Sequence, residues 1–212
     1  AKNTYCTTPA NGCGVFAAVT GNFSTPSGTY SGTVTEDSTI KKYLNGEYLT
    51  NLSSNYKQFV QEHVFNIGAV EVKSVSANDT IEKNIIGEKM YTWEGSVGLI
   101  NVTDVLKAST NKLCTSATEQ YNQSINNYVA VCDDSYLFSK LNISWWTINA
   151  MAHENENPSH NAWNIYDNSD YGSLGGDNAR HEIGIRPVVF IKSDTTLTGT
   201  GTYNDPYKIS EL

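Results

Sequence analysis

Four cysteines in two sequence-local pairs constrain this 212-residue chain more than any other feature. Cys6 and Cys13 are separated by a turn-forming set that includes Pro9, Asn11 and Gly12, and Cys114 and Cys132 bracket a Tyr- and Asn-rich stretch. Four cysteines allow three pairings. The short separations favour Cys6–Cys13 and Cys114–Cys132, because short loops close at the smallest entropic cost. A bridge across the 18-residue span from Cys114 to Cys132 would contribute about 3 kcal/mol. The alternative is four reduced, buried thiols. Zinc is disfavoured, since the chain has no C-x-x-C pair and no His at ligand spacing from a Cys. Two bridges would place the protein in an oxidising compartment, so a secreted or cell-surface location is expected.

The rest of the composition agrees with that setting. Charged residues are only 17% of the chain, and Asn, Ser, Thr, Gly and 13 Tyr take their place. Such a polar, uncharged, Tyr-bearing surface suits adaptable hydrogen bonding. Hydrophobic residues at 39% and a mean hydropathy of -0.40 read as globular. The net charge of -8 and pI near 4.9 argue against nucleic acid, which needs clustered Lys and Arg to displace counterions. No window supplies the roughly 18 apolar residues that a membrane span requires. The chain opens at Ala1 without a signal-type segment, so a secreted protein is expected to be in mature or trimmed form.

Along the chain, residues 14–19 and 29–34 read as short extended pieces. A helix is signalled at Ser38, which can cap a turn carrying Ile40, Tyr43 and Leu44, with Asn45-Gly46 ending or kinking it. A second helix is expected from Ser53 to about His63, on the spacing of Tyr56, Phe59 and Val60. Residues 64–93 look extended, Gly98-Leu99-Ile100 reads as a buried strand, and Thr103-Asp104 as the cap of a short helix reaching Ala108. Leu141 to Ile148 is apolar around Trp145-Trp146. An irregular loop is expected from Ala150 to about His181, followed by an apolar run from Ile183 to Ile191 and turns at 199–206.

Four ordered segments resemble one family. Ser38 to Asn45 looks like its helix opening, Val97 to Asp104 like its short strand and helix cap, and Trp145-Trp146-Thr147 like its Trp-Trp strand. Gly184-Ile185-Arg186-Pro187-Val188-Val189 is similar to its closing strand, and Gly199 to Tyr207 to its ending. The family is a group of bacterial surface domains similar to the C-type-lectin-like fold of formylglycine-generating enzymes. Some relatives carry the domain behind a hydrophobic, type IV pilin-like N-terminal helix. The resemblance implies an α+β, C-type-lectin-like fold over residues 36–212, with two helices, a small mixed or antiparallel sheet and long irregular loops. Residues 1–35 would form a disulfide-containing N-terminal extension. It implies no activity. The formylglycine-generating enzymes need reactive cysteines near the domain's end, and this chain has none after Cys132, so no enzyme is expected.

The expected function is an extracellular, adhesin-like binding module for a host or neighbouring-cell glycan or protein. The alternative is the globular part of a pilin-like filament subunit, whose partners would be other pilus subunits. The stretch richest in ligand-type residues is 150–181, with His153, Glu154, Glu156, Trp163, Tyr166, Asp170 and Tyr171 as candidates. Glu154, Glu156, Asp167, Asp170 and Asp177 supply the hard oxygens that suit Ca²⁺. The calcium-lectin triplets Glu-Pro-Asn and Gln-Pro-Asp are absent, so no cofactor is expected. Trp145 and Trp146, as strand neighbours, point to opposite faces, so at most one faces a ligand. Arg186 within an apolar run calls for a carboxylate, with Asp104 or Glu182 at hand.

Overall fold

In the computed structural model the described residues are 17–20, 33–37, 39–68, 70–72, 81–89, 91–108, 143–153, 161–168, 171–178, 183–202 and 204–210. All four cysteines fall outside them, and so does most of the expected N-terminal extension. Within that extension β1 (Ala17–Thr20) pairs antiparallel with β2 (Thr33–Asp37), with a register shift between Ala18 and Val19.

Asn45-Gly46 does not end the first helix. α1 (Thr39–Tyr43) runs into a π-helical turn, Leu44–Tyr48, in which the Leu49 N–H reaches back to the Leu44 carbonyl, and closes as α2 (Leu49–Asn51). The wide turn carries a tertiary anchor. The Asn45 carboxamide reaches across to another segment, donating to the Val97 carbonyl at 2.8 Å and accepting from the Val97 and Ser96 N–H groups at 3.0 and 3.2 Å. Such π turns are rare and occur mostly as single turns within α-helices. Ile40 and Leu44 face the core from this segment, both fully buried.

The second helix is a single turn, α3 (Ser54–Lys57), rather than a run to His63. The apolar residues that suggested a helix are used in strands instead. Phe59 is buried, its carbonyl accepting from Lys192, and β3 (Val60–Gln61) and β4 (His63–Asn66) follow. After β5 (Val70–Val72) comes α4 (Ile81–Lys89), where an extended segment was expected. Among the α4 side chains that are described, Gly87 and Glu88 are buried while Ile86 is 56% exposed. A helix that buries a glycine and an acid shows no apolar stripe to read.

β6 (Thr92–Gly95), β7 (Val97–Gly98) and α5 (Val102–Lys107) follow. The Asn101 carbonyl, not a Thr103 or Asp104 side chain, receives the first helical bond of α5, from Val105. β8 (Trp145–His153), β9 (Asn161–Asn168) and β10 (Tyr171–Asn178) occupy the segment expected to be an irregular loop. They form an antiparallel meander, with eight consecutive register pairs between β9 and β10. β9 and β10 are rich in Asn and Gly and poor in β-branched residues, so their pairing comes from backbone ladders rather than from side-chain propensity.

On its other side β8 takes two parallel neighbours at different heights, β11 (Gly184–Ile185) at Trp145–Trp146 and β5 at Met151–His153. Between β11 and β12 (Val188–Ile191) the chain changes sheets at Arg186-Pro187, where proline has no N–H to give a ladder. β12 then lies between β3 and β7, antiparallel to both. β4 pairs with β6, and β13 (Leu197–Thr198) with β14 (Lys208–Ile209). The last hairpin turns through Gly199 and Gly201, both at positive φ, as its glycines suggested.

The architecture is mixed α+β, with few helices and many short strands in several small sheets. One core gathers Ile40, Leu44, Phe65, Ile67, Val97, Leu99, Trp146, Ile148 and Ala162. No helix among the described residues is long and apolar enough to cross a membrane.

Candidate functional site

The meander divides the candidate residues rather than gathering them. His153 ends β8, where its backbone is the register partner of Val72. Glu154 and Glu156 lie outside the described residues, in the connection that leaves β8 at that end. Tyr166 pairs in register with Ser173, and Tyr171 with Asn168, at the far end of the β9–β10 hairpin. Asp170 lies between the two strands and outside the described residues. β9 runs eight residues from one end to the other, roughly 23 Å at 3.3 Å per residue. A single contiguous loop surface over 150–181 is therefore corrected to two separate ends of a meander.

Trp163 belongs to neither end. Its side chain is 1% exposed, and its indole N–H donates to the Val70 carbonyl at 3.0 Å. The Trp163 carbonyl in turn accepts from the Thr147 hydroxyl at 2.9 Å. It ties β9 to β5 and β8, so the reading of Trp163 as a ligand contact is corrected to a structural role: a buried indole needs its acceptor inside the fold. Trp145 and Trp146 are both buried. The sheet is covered on its two faces at this point, which leaves neither ring for a ligand. The Arg186 guanidinium carbon stands 4.9 Å from the Trp145 ring centroid, a cation–π contact that counting carboxylates did not include.

Of the acidic residues considered for Ca²⁺, Glu154, Glu156 and Asp170 lie outside the described residues, and the other two stand apart. Asp167 pairs in register with Gly172, and Asp177 with Ala162. Five residues separate those rungs along β10, roughly 17 Å, whereas calcium ligands lie about 2.3–2.6 Å from the ion. The two cannot share one ion. Among the described residues no group of three or more His, Cys, Asp or Glu side chains comes together.

Sequence reading missed a buried polar junction beneath the meander. Asn149, fully buried on β8, accepts from the Val102 N–H at 2.9 Å and from Asn101 Nδ2 at 3.3 Å, and donates to the Gly68 carbonyl at 2.8 Å. Gly68 N–H donates to the Glu88 carbonyl at 2.9 Å. The Glu88 side chain, 2% exposed, accepts from the Thr103 N–H at 2.9 Å and the Thr103 hydroxyl at 2.5 Å. Burial pushes the Glu88 carboxyl up to about 7, against the opposing pull of the Thr103 donors. No local sequence signal marks these residues, because each makes its partners through segments distant in the chain.

Comparison with known proteins finds no matching family model, no matching curated protein and no matching solved structure.

Proposed function

We propose that this chain is a surface-displayed, adhesin-like binding module of C-type-lectin-like fold, which acts outside the cell and binds without catalysis. Its ligand is a glycan or protein of a host or neighbouring cell, met at the end of the β9–β10 hairpin. The observation that carries this reading is the register of that hairpin. Eight paired rungs hold Tyr166 and Tyr171 near the connection that carries Asp170, while buried Trp163 roots β9 on β5. A hairpin end held by a full ladder loses little freedom on binding. Tyr offers a large contact area with a polar tip at low entropic cost. An acidic residue between two tyrosines suits hydroxyl-rich or amide-rich ligands.

The test is a glycan and protein array probed with the full 212-residue chain, followed by titration of the hits. Tyr166→Ala and Tyr171→Ala are expected to abolish binding, and His153→Ala, at the other end of the meander, to leave it unchanged. Binding that survives both tyrosine changes rules this site out. A chain that binds nothing on the array but assembles with itself on size-exclusion chromatography favours the filament-subunit reading.

A further inference from the structure

The buried junction beneath the meander is a closed ring of hydrogen bonds. From the Glu88 carbonyl it passes to Gly68 N–H, from the Gly68 carbonyl to Asn149 Nδ2, and from Asn149 Oδ1 to Val102 N–H. One peptide further on, Thr103 N–H returns it to the Glu88 carboxyl. The ring joins α4, the β4–β5 connection, β8 and α5. Every link is an amide group except one. That exception is a carboxyl, the only member that can gain or lose a proton, and it is buried with two neutral donors from Thr103.

We propose that Glu88 is a proton-operated latch between α4 and α5: uncharged, it locks α4 onto the first turn of α5; ionised, it loosens that junction and the base of β8 with it. In the uncharged form one oxygen accepts the Thr103 N–H and the acid proton is given to the Thr103 hydroxyl oxygen, so no charge is buried. On ionisation the same pocket holds a charge that two neutral donors compensate only in part, and a buried, incompletely paired charge is costly. Among the described residues, α5 brings two charges to bear on it: Asp104 has the same sign and Lys107 the opposite one. β5, packed against α4, carries Glu71, again of the same sign. Lys89, next to Glu88 on α4, is exposed. The midpoint near 7 places the transition at neutral pH. Because the ring passes through Asn149 and Val102, strain at Glu88 is delivered to β8 and α5 together. This device does not depend on the proposed ligand.

Hydrogen exchange on the full chain from pH 5.5 to 8.0, corrected for the intrinsic pH dependence of exchange, is the test. In the unaltered protein, protection over 101–105 is expected to fall by roughly tenfold or more across that range, the change a shift of this size in a coupled proton produces. In Glu88→Gln, whose amide can accept from the Thr103 N–H and donate to its hydroxyl, the profile is expected to be flat. Parallel loss of protection in both proteins overturns the latch. Should the variant fold poorly, ¹³C NMR of the Glu88 carboxyl in the unaltered chain decides: a midpoint near 7 supports the proposal, and one below about 5.5 overturns it.

Discussion

Replacing Asn45 with Ala tests how the first helical segment is fastened to the sheet. Val97 sends both its N–H and its C=O to the Asn45 carboxamide, at 3.0 and 2.8 Å, so this side chain stands where a neighbouring strand would. A third bond, from the Ser96 N–H, is 3.2 Å long, and Ser96 is half-buried. Alanine leaves the two Val97 groups without partners beside a fully buried side chain. Each such loss costs about 1–3 kcal/mol, while the Ser96 group can be hydrated at little cost. Alanine returns about 0.5 kcal/mol through better helix propensity. The net expectation is a loss of about 3 kcal/mol, which for a chain of this size lowers Tm by about 6–12 °C. Urea unfolding followed by circular dichroism, with a thermal melt beside it, reads both quantities. Gly46→Ala is the control: its added methyl meets nothing within 4 Å, so it is expected to be neutral or slightly stabilising. An Asn45→Ala protein within about 0.5 kcal/mol of the original, on the ordinary scale of surface changes, refutes the argument, because water would then replace the carboxamide freely.

Three further outcomes are expected. The folded-state pKa of Glu88, about 7, is raised above its ordinary 4.5, so the folded protein holds this proton more tightly than the unfolded chain. The associated stability is fully present below about pH 4.5 and is lost as pH rises through 7, a difference of about 3 kcal/mol between urea titrations at the two limits that Glu88→Gln removes. Gly68→Ala would set its methyl 2.1 Å from the Gly87 carbonyl oxygen and 2.8 Å from that of Glu88. Neither backbone atom can swing aside, so a loss of about 3 kcal/mol is expected in the urea midpoint. Trp163→Phe strands the Val70 carbonyl and is expected to cost about 1–3 kcal/mol in denaturation, with ligand affinity on the array unchanged.

Some of this fold was legible residue by residue. The apolar pattern at Ile40 and Leu44 marked a helix packed on the core, Leu99 a buried strand end, and Trp145-Trp146 a strand with at least one ring packed inward, where the structure buries both. Gly199, Gly201 and Asp205 marked the closing turn, where Asp205 Oδ2 accepts from the Thr200 N–H at 3.0 Å. Two of the errors share a cause. α4 buries a glycine and an acid, and β9 and β10 are built from Asn, Gly and Tyr, so neither carries the periodicity of its class. The candidate site suffered in the same way. Its residues were grouped because they are close in sequence, and an antiparallel meander moves sequence neighbours to opposite ends.

From the amino acids alone came the mixture of helix and strand, the acidic and charge-poor composition that argues against nucleic acid, the inward packing of at least one of the two tryptophans, and the closing turns. All of these rest on composition or on interactions within a few residues. Which side chain of 150–181 is a structural anchor, which segments become neighbours of β8, and where a carboxyl is shut away from water were decided only by the tertiary structure. Trp163 reaches Val70, Asn45 reaches Val97 and Asn149 reaches Gly68 across separations of 93, 52 and 81 residues. The strength of each bond depends on being buried, and burial is a property of the assembled fold rather than of any local stretch of chain.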